Sequence, residues 1–115
     1  MSTHFEILVT DEFKDWYEEL EEHDADRVFF VVGLLEEKGT DLGFPHSSSI
    51  KNSSYPLREL RVQSKGHPLR ILYAFNPERN ALLILGGDKT GDLRWYDKNI
   101  PIAERLWEEH LEELD

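Results

Sequence analysis

Three apolar, branched or aromatic runs, Leu57–Gln63, Leu69–Phe75 and Ala81–Leu85, follow one another with only five residues between neighbours. The separators, Ser64-Lys65-Gly66-His67-Pro68 and Asn76-Pro77-Glu78-Arg79-Asn80, are built from turn-forming residues. Short strands at this spacing predict a meander, ended by Gly86-Gly87. Whatever else the chain does, it must cover that sheet.

The flanking segments supply the cover. Phe5, Ile7 and Val9 alternate with Glu6 and Leu8, the period of a half-buried strand over about residues 4–9. Thr10 or Asp11 then stands where a helix cap is needed. From Asp11 to about Glu22, Phe13, Trp16, Tyr17 and Leu20 fall on one helical face. Asp24 or Asp26 is placed to cap a second helix, in which Val28, Val31, Val32 and Leu35 repeat until Gly39. The short connection predicts an antiparallel helical hairpin. Residues 40–56, with Gly43, Pro45, three successive Ser and Pro56, read as a long surface loop. Residues 88–99 read as polar and irregular, and Pro101 suits the first turn of a closing helix striped by Ile102, Ala103, Leu106, Trp107, Leu111 and Leu114. The expected fold is α+β in the order β-α-α-β-β-β-α, a small antiparallel-type sheet packed by the helical hairpin and the last helix.

At 115 residues the chain is long enough for one core and too short for two, so a single domain over 1–115 is expected. The absence of Cys excludes disulfides and thiolate metal sites and makes the cytoplasm the default location. No basic leader and no run near the roughly 20 apolar residues of a membrane span can be read. The formal net charge of −11 would argue against a nucleic-acid partner. It is unevenly spread, however. Residues 1–46 carry −10 and residues 100–115 carry −5, whereas residues 47–99 carry +4. The preference of helices for Glu is one explanation of that contrast; a basic sheet face is the other.

The common chemical signatures are missing: no Gly-rich phosphate loop, no His pair at helical spacing and no nucleophile elbow. The five His are scattered singly, so no metal and no other cofactor is expected. What stands out is arginine within strands, in Leu57-Arg58-Glu59-Leu60-Arg61-Val62 and Leu69-Arg70-Ile71-Leu72. Arg70 shares a strand face with Leu72 and Ala74, and Ile71, Tyr73 and Phe75 line the other. Arg58 and Arg61, three apart, point to opposite faces of a regular strand unless a bulge intervenes. Such arginines either form ordinary cross-strand pairs with Glu59 and the acidic helices or make a guanidinium cluster on an open sheet face. A cluster suits bidentate phosphate contact and charge on a pentacoordinate phosphorus.

The segments LRELR (57–61), LRILYAF (69–75), ALLILGG (81–87), DKTGD (88–92) and IPIAERLWEEH (100–110) resemble the HigB-like branch of the RelE/ParE toxin superfamily over nearly the whole chain. That resemblance implies a compact RelE-like fold and the toxin of a type II toxin–antitoxin module. The implied activity is cleavage of mRNA on the translating ribosome by attack of a 2′-hydroxyl on the adjacent phosphate. It further implies catalytic roles for Arg58, Arg61, Arg70 and Lys89, and substrate contacts for Tyr73, Arg94, Tyr96 and Lys98. Tyr73 also reads as core packing. The expected partners are a helix-turn-helix antitoxin, the ribosome and mRNA. The acidic balance departs from the basic character usual in that branch. A gyrase inhibitor of the ParE type, acting through protein contacts, would fit it better, and a catalytically silent interaction module that retains the fold is the third reading.

Overall fold

The computed structural model describes residues 5–115. Its elements are β1 (Glu6–Val9), α1 (Asp11–Glu18), α2 (Glu22–Lys38), a 3-10 turn (Gly39–Asp41), β2 (Ser47–Ser49), β3 (Arg58–Ser64), β4 (His67–Phe75), β5 (Asn80–Asp88) and α3 (Trp95–Glu113). The five strands form one sheet in the order β1-β5-β4-β3-β2. The meander is present as β3-β4-β5. The sheet is mixed, because β1 runs parallel to β5 with Ile7 opposite Ala81. A wholly antiparallel arrangement fails because the α1–α2 hairpin lies between β1 and the meander and returns the chain to the other edge.

Thr10 builds the first corner. Its hydroxyl accepts from the Phe13 N–H at 2.9 Å and donates to the Ile84 carbonyl at 2.6 Å, capping α1 and tying it to β5. Helix α1 stops at Glu18, short of the expected end, and α2 starts at Glu22 with Glu21 at its N-cap. Asp24 therefore caps nothing and instead accepts from the Ser64 hydroxyl on β3. Gly39 ends α2 with a positive φ, as expected. The start of the first strand at residue 4 lies outside the described residues.

Three further expectations are corrected. The 40–56 segment contains β2, whose Ser47 and Ser49 pair with Leu60 and Arg58. Strand β5 does not stop at Leu85; it runs through Gly86 and Gly87 to Asp88. Both glycines are there because a ring lies against each: Trp16 of α1 covers Gly86, and Trp95 of α3 covers Gly87. Finally, α3 begins at Trp95, with Pro101 inside the helix. Pro101 forfeits one helical hydrogen bond, and burial of Trp95 and Ile100 in the preceding turns offsets that loss.

The two faces carry separate cores. Leu60, Val62, Ile71, Tyr73 and Leu83 pack under α1 and α2, and Leu57, Leu72, Ala74, Leu82 and Ile84 pack under α3. The β4–β5 register slips between Leu72 and Tyr73, which oppose Leu85 and Leu83. The extra residue, Ile84, and its neighbour Leu85 consequently both serve the α3 side.

Candidate functional site

Strand periodicity separates the arginines. Arg58 belongs to the hairpin side with Leu60 and Val62, where it stands opposite Tyr73 in the β3–β4 register. Its guanidinium donates to Ser49 Oγ at 2.9 Å and to Ser47 Oγ at 3.1 Å, and its Nε lies 3.3 Å from Tyr73 Oη. The Tyr73 ring is fully buried, and its hydroxyl is shared with Ser47. Hydroxyls, not carboxylates, therefore hold Arg58, so its positive charge stays uncompensated by any ion pair among the described residues.

Arg61 and Arg70 lie on the α3 side, paired with each other across the ladder. Glu59, two residues before Arg61, shares that face. Its Oε2 is 3.4 Å from Arg61 and its Oε1 is 3.7 Å from Arg70 Nε. Tyr96, in the first turn of α3, donates its O–H to Glu59 Oε1 at 2.6 Å, and the Ser48 hydroxyl donates to Oε2 at 2.9 Å. Burial and the adjacent carboxylate push the Tyr96 phenol up from its ordinary value. Lys89 Nζ sits 5.7 Å above the Tyr96 ring, a cation–π distance.

This face is not open. Arg70 is only 5% exposed, and its Nε is buried without a hydrogen-bond partner, while its Nη1 donates to the Leu69 carbonyl at 3.0 Å. The covering element is the first turn of α3, which the sequence reads as loop. The same correction moves Tyr96 and Lys98 from a loop onto a helix. Lys98 donates to Asp92 at 3.0 Å and, with the Arg94 amide, holds that carboxyl below the usual range. Arg94 is the residue before the helix and is exposed.

Where the short β2 leaves β3 uncovered, the chain forms a cleft of about 250 Å³. Arg61 and Arg70 reach it from the sheet, Arg27 from α2, and Phe44, Pro45 and His46 from the loop before β2. The Arg61 N–H donates to the His46 carbonyl at 2.8 Å, which fixes that loop on the strand. Arg27 Nε donates to the Gln63 carbonyl at 3.2 Å. Phe44 is 77% exposed, with the Arg61 guanidinium 5.4 Å from its ring centre. Three arginines thus line one cleft together with an exposed aromatic ring, in a chain of net charge −11. Such a cleft can bind a phosphodiester and stack a base. Arg27, Phe44 and Glu59 were not singled out as functional from the sequence. Arg27 is one of only three bases in the first 46 residues, the one signal that could have marked it.

The fold and cleft describe a small mixed α+β protein with an arginine-lined edge. The description "Phage derived protein Gp49-like (DUF891)" matches residues 15–108, and the chain belongs to that family. It is 38% identical over 107 residues to the Mycobacterium tuberculosis protein named "Putative toxin HigB3", covering 91% of this chain and 92% of that one. It is 35% identical over 103 residues to "Putative toxin HigB2" of the same organism, covering 87% of this chain and about half, 51%, of that protein. No helix among the described residues is long and apolar enough to cross a membrane.

Proposed function

We propose that this chain is the toxin of a type II toxin–antitoxin module and acts as a ribosome-dependent mRNA endoribonuclease of the RelE/HigB type in the cytoplasm. The observation that carries the reading is the convergence of Arg27, Arg61 and Arg70 on one cleft. The similarity to proteins named as HigB toxins supports it. In the reaction, a 2′-oxygen forms a bond to the adjacent phosphorus as the bond to the 5′-oxygen breaks. The 2′-hydroxyl loses its proton, the departing 5′-oxygen gains one, and a 2′,3′-cyclic phosphate remains.

Guanidiniums fit this step because the pentacoordinate phosphorus carries more charge on its oxygens than the ground state does. Arg61, partly exposed, contacts the phosphate, and Arg70 adds charge from behind it. Glu59 positions both. Lys89, over the Tyr96 ring, extends the positive surface on the α3 side, Arg58 carries a separate charge on the hairpin side beside Tyr73, and Arg94, Tyr96 and Lys98 contact the mRNA as it leaves the cleft. The ribosome supplies the docking that an acidic protein cannot obtain by long-range attraction. A helix-turn-helix antitoxin is the neutralising partner.

Arg70→Ala is a poor first test, because it removes a buried charge and endangers folding. Arg61→Ala and Arg27→Ala are better. Primer extension on a reporter mRNA, with and without ribosomes, should show ribosome-dependent cuts that the two variants lose while their melting stays cooperative. Intact mRNA in the presence of wild-type protein and active translation would sink the reading, and inhibition of gyrase supercoiling would replace it with a ParE-like one.

A further inference from the structure

Cleavage of a phosphodiester needs two proton movements, and arginine can make neither. A guanidinium stays protonated in a protein, so Arg27, Arg61 and Arg70 stabilise charge without giving or taking a proton. Among the residues lining their cleft, His46 is the one imidazole, the side chain that most often transfers protons in catalysis.

The ladder fixes where His46 stands. The β2–β3 register opposes Ser47 to Leu60 and Ser48 to Glu59, and it continues one residue before β2, where the Arg61 N–H donates to the His46 carbonyl at 2.8 Å. Side chains alternate along that edge. Ser47 meets Arg58 and Tyr73 on the hairpin side and Ser48 donates to Glu59 on the α3 side, so His46 takes the α3 side with Arg61. Arg61 in turn opposes Arg70. His46, Arg61 and Arg70 therefore form one row across the sheet, with about 5 Å between successive Cβ atoms.

The ring of His46 is also uncommitted. His23 is bonded to Ser64, His67 lies 3.2 Å from Asp88 and His110 is bonded to Asn76. The half-buried His46 ring has no hydrogen-bond or ion-pair partner among the described residues. Its main chain, by contrast, is held on both sides, because its N–H donates to the Gly43 carbonyl at 3.1 Å and its carbonyl accepts from Arg61. The backbone is fixed and the side chain is left for a ligand.

We propose that His46 is the general acid of the cleavage: with the scissile phosphate on Arg61, its imidazolium gives a proton to the departing 5′-oxygen. The proposal rests on the endoribonuclease reading. The bond from the 2′-oxygen to phosphorus forms as the bond from phosphorus to the 5′-oxygen breaks. The 5′-oxygen leaves as a hydroxyl, the 2′-hydroxyl proton passes to water, and the neutral imidazole regains its proton from water. Fixed cations serve the 2′-oxygen, because they favour the charge that forms as its proton departs. The 5′-oxygen must end as a neutral hydroxyl, which needs a donor with a transferable proton.

The test is single-turnover cleavage of ribosome-bound mRNA by the full chain and by His46→Gln, on a natural linkage and on one whose bridging 5′-oxygen is replaced by sulfur. A 5′-thiolate leaves without being protonated. His46→Gln should cut the oxygen linkage at least about a hundredfold more slowly, the scale of losing a general acid, and the sulfur linkage at close to the wild-type rate. Both main-chain bonds of His46 survive the substitution, so the variant should melt with the wild type. A merely structural role, or a role as general base, would slow both linkages alike. That result, or an unchanged rate on the oxygen linkage, overturns the proposal and leaves the nuclease reading standing. Absence of ribosome-dependent cuts by the wild-type chain would remove the nuclease reading and this proposal together.

Discussion

Arg61 and Arg70 stand directly opposite each other in the β3–β4 register. Like charges facing across a ladder repel, so this pairing needs a compensating group, and the Glu59 carboxylate gives one oxygen to each. Glu59 and Arg70 are both nearly sequestered from water, with side chains 7% and 6% exposed. Replacing Glu59 by Gln keeps the shape and removes the charge, leaving Arg70 buried without a counter-ion. The expected cost is about 3–5 kcal/mol, as for breaking other buried pairs from one side. Urea unfolding of Glu59→Gln checks it; a loss under about 1 kcal/mol would mean that water reaches Arg70 freely.

The glycine pair in β5 makes a second prediction. A Cβ on Gly86 would enter the Trp16 ring, and one on Gly87 would lie 2.6 Å from Trp95 Nε1. Neither ring is on a flexible tip: Trp95 is 5% exposed, and Trp16 packs against the hairpin-side core. Gly86→Ala and Gly87→Ala should each destabilise by about 1–3 kcal/mol, the cost of overpacking. Gly43→Ala, with open space at its Cβ position, is the control and should melt within a few degrees of wild type.

These glycines also show what was legible beforehand. The meander, a helix cap at Thr10 or Asp11, the Gly39 stop and the opposite orientations of Arg58 and Arg61 all follow from local periodicity or local hydrogen bonding. Gly86-Gly87 reads locally as a strand end, because only the two tryptophans arriving from α1 and α3 reveal why a strand would contain them. The same reason hides the start of α3. Pro101 is the strongest local start signal, yet Trp95 and Ile100 gain more by packing on the sheet than the proline loses. The parallel pairing of β1 depends on where the hairpin delivers the chain, which no short window records. At the site, Arg61 and Arg70 stood out as strand cations. Arg27 and Phe44 did not, since they join the cleft from elements 17 or more residues from Arg61 in sequence.

The division of the arginines between the two sheet faces can be measured. Arg61 and Arg70 share Glu59, so the stability effects of Arg61→Ala and Arg70→Ala should be non-additive, with a coupling of about 0.5–3 kcal/mol. Arg58 has different partners, Ser47, Ser49 and Tyr73, on the other side of the sheet. Arg58→Ala and Arg61→Ala should therefore add within about 0.5 kcal/mol. Equal coupling in both cycles would contradict the placement of Arg58 away from the Glu59 network.

Tyr96 links the first turn of α3 to Glu59, and the link has a pH signature. Its phenol titrates above the ordinary value of 10.0 because burial and the neighbouring carboxylate both disfavour phenolate. A folded-state value above the unfolded one means that the unfolded chain releases this proton first. The associated stability is therefore fully present below pH 10 and is lost as the pH rises through the raised value. Tyr96→Phe removes the hydrogen bond and its pH dependence together. At neutral pH the variant should be less stable by about 1 kcal/mol, the net worth of an ordinary hydrogen bond. Above pH 10 the gap between the two proteins should close, because the wild type loses the contribution that the variant never had. Denaturant midpoints at pH 7 and pH 11, with tyrosinate absorbance followed in parallel, measure both quantities. A gap that stays constant or widens with pH would show that the hydroxyl does not hold α3 to Glu59.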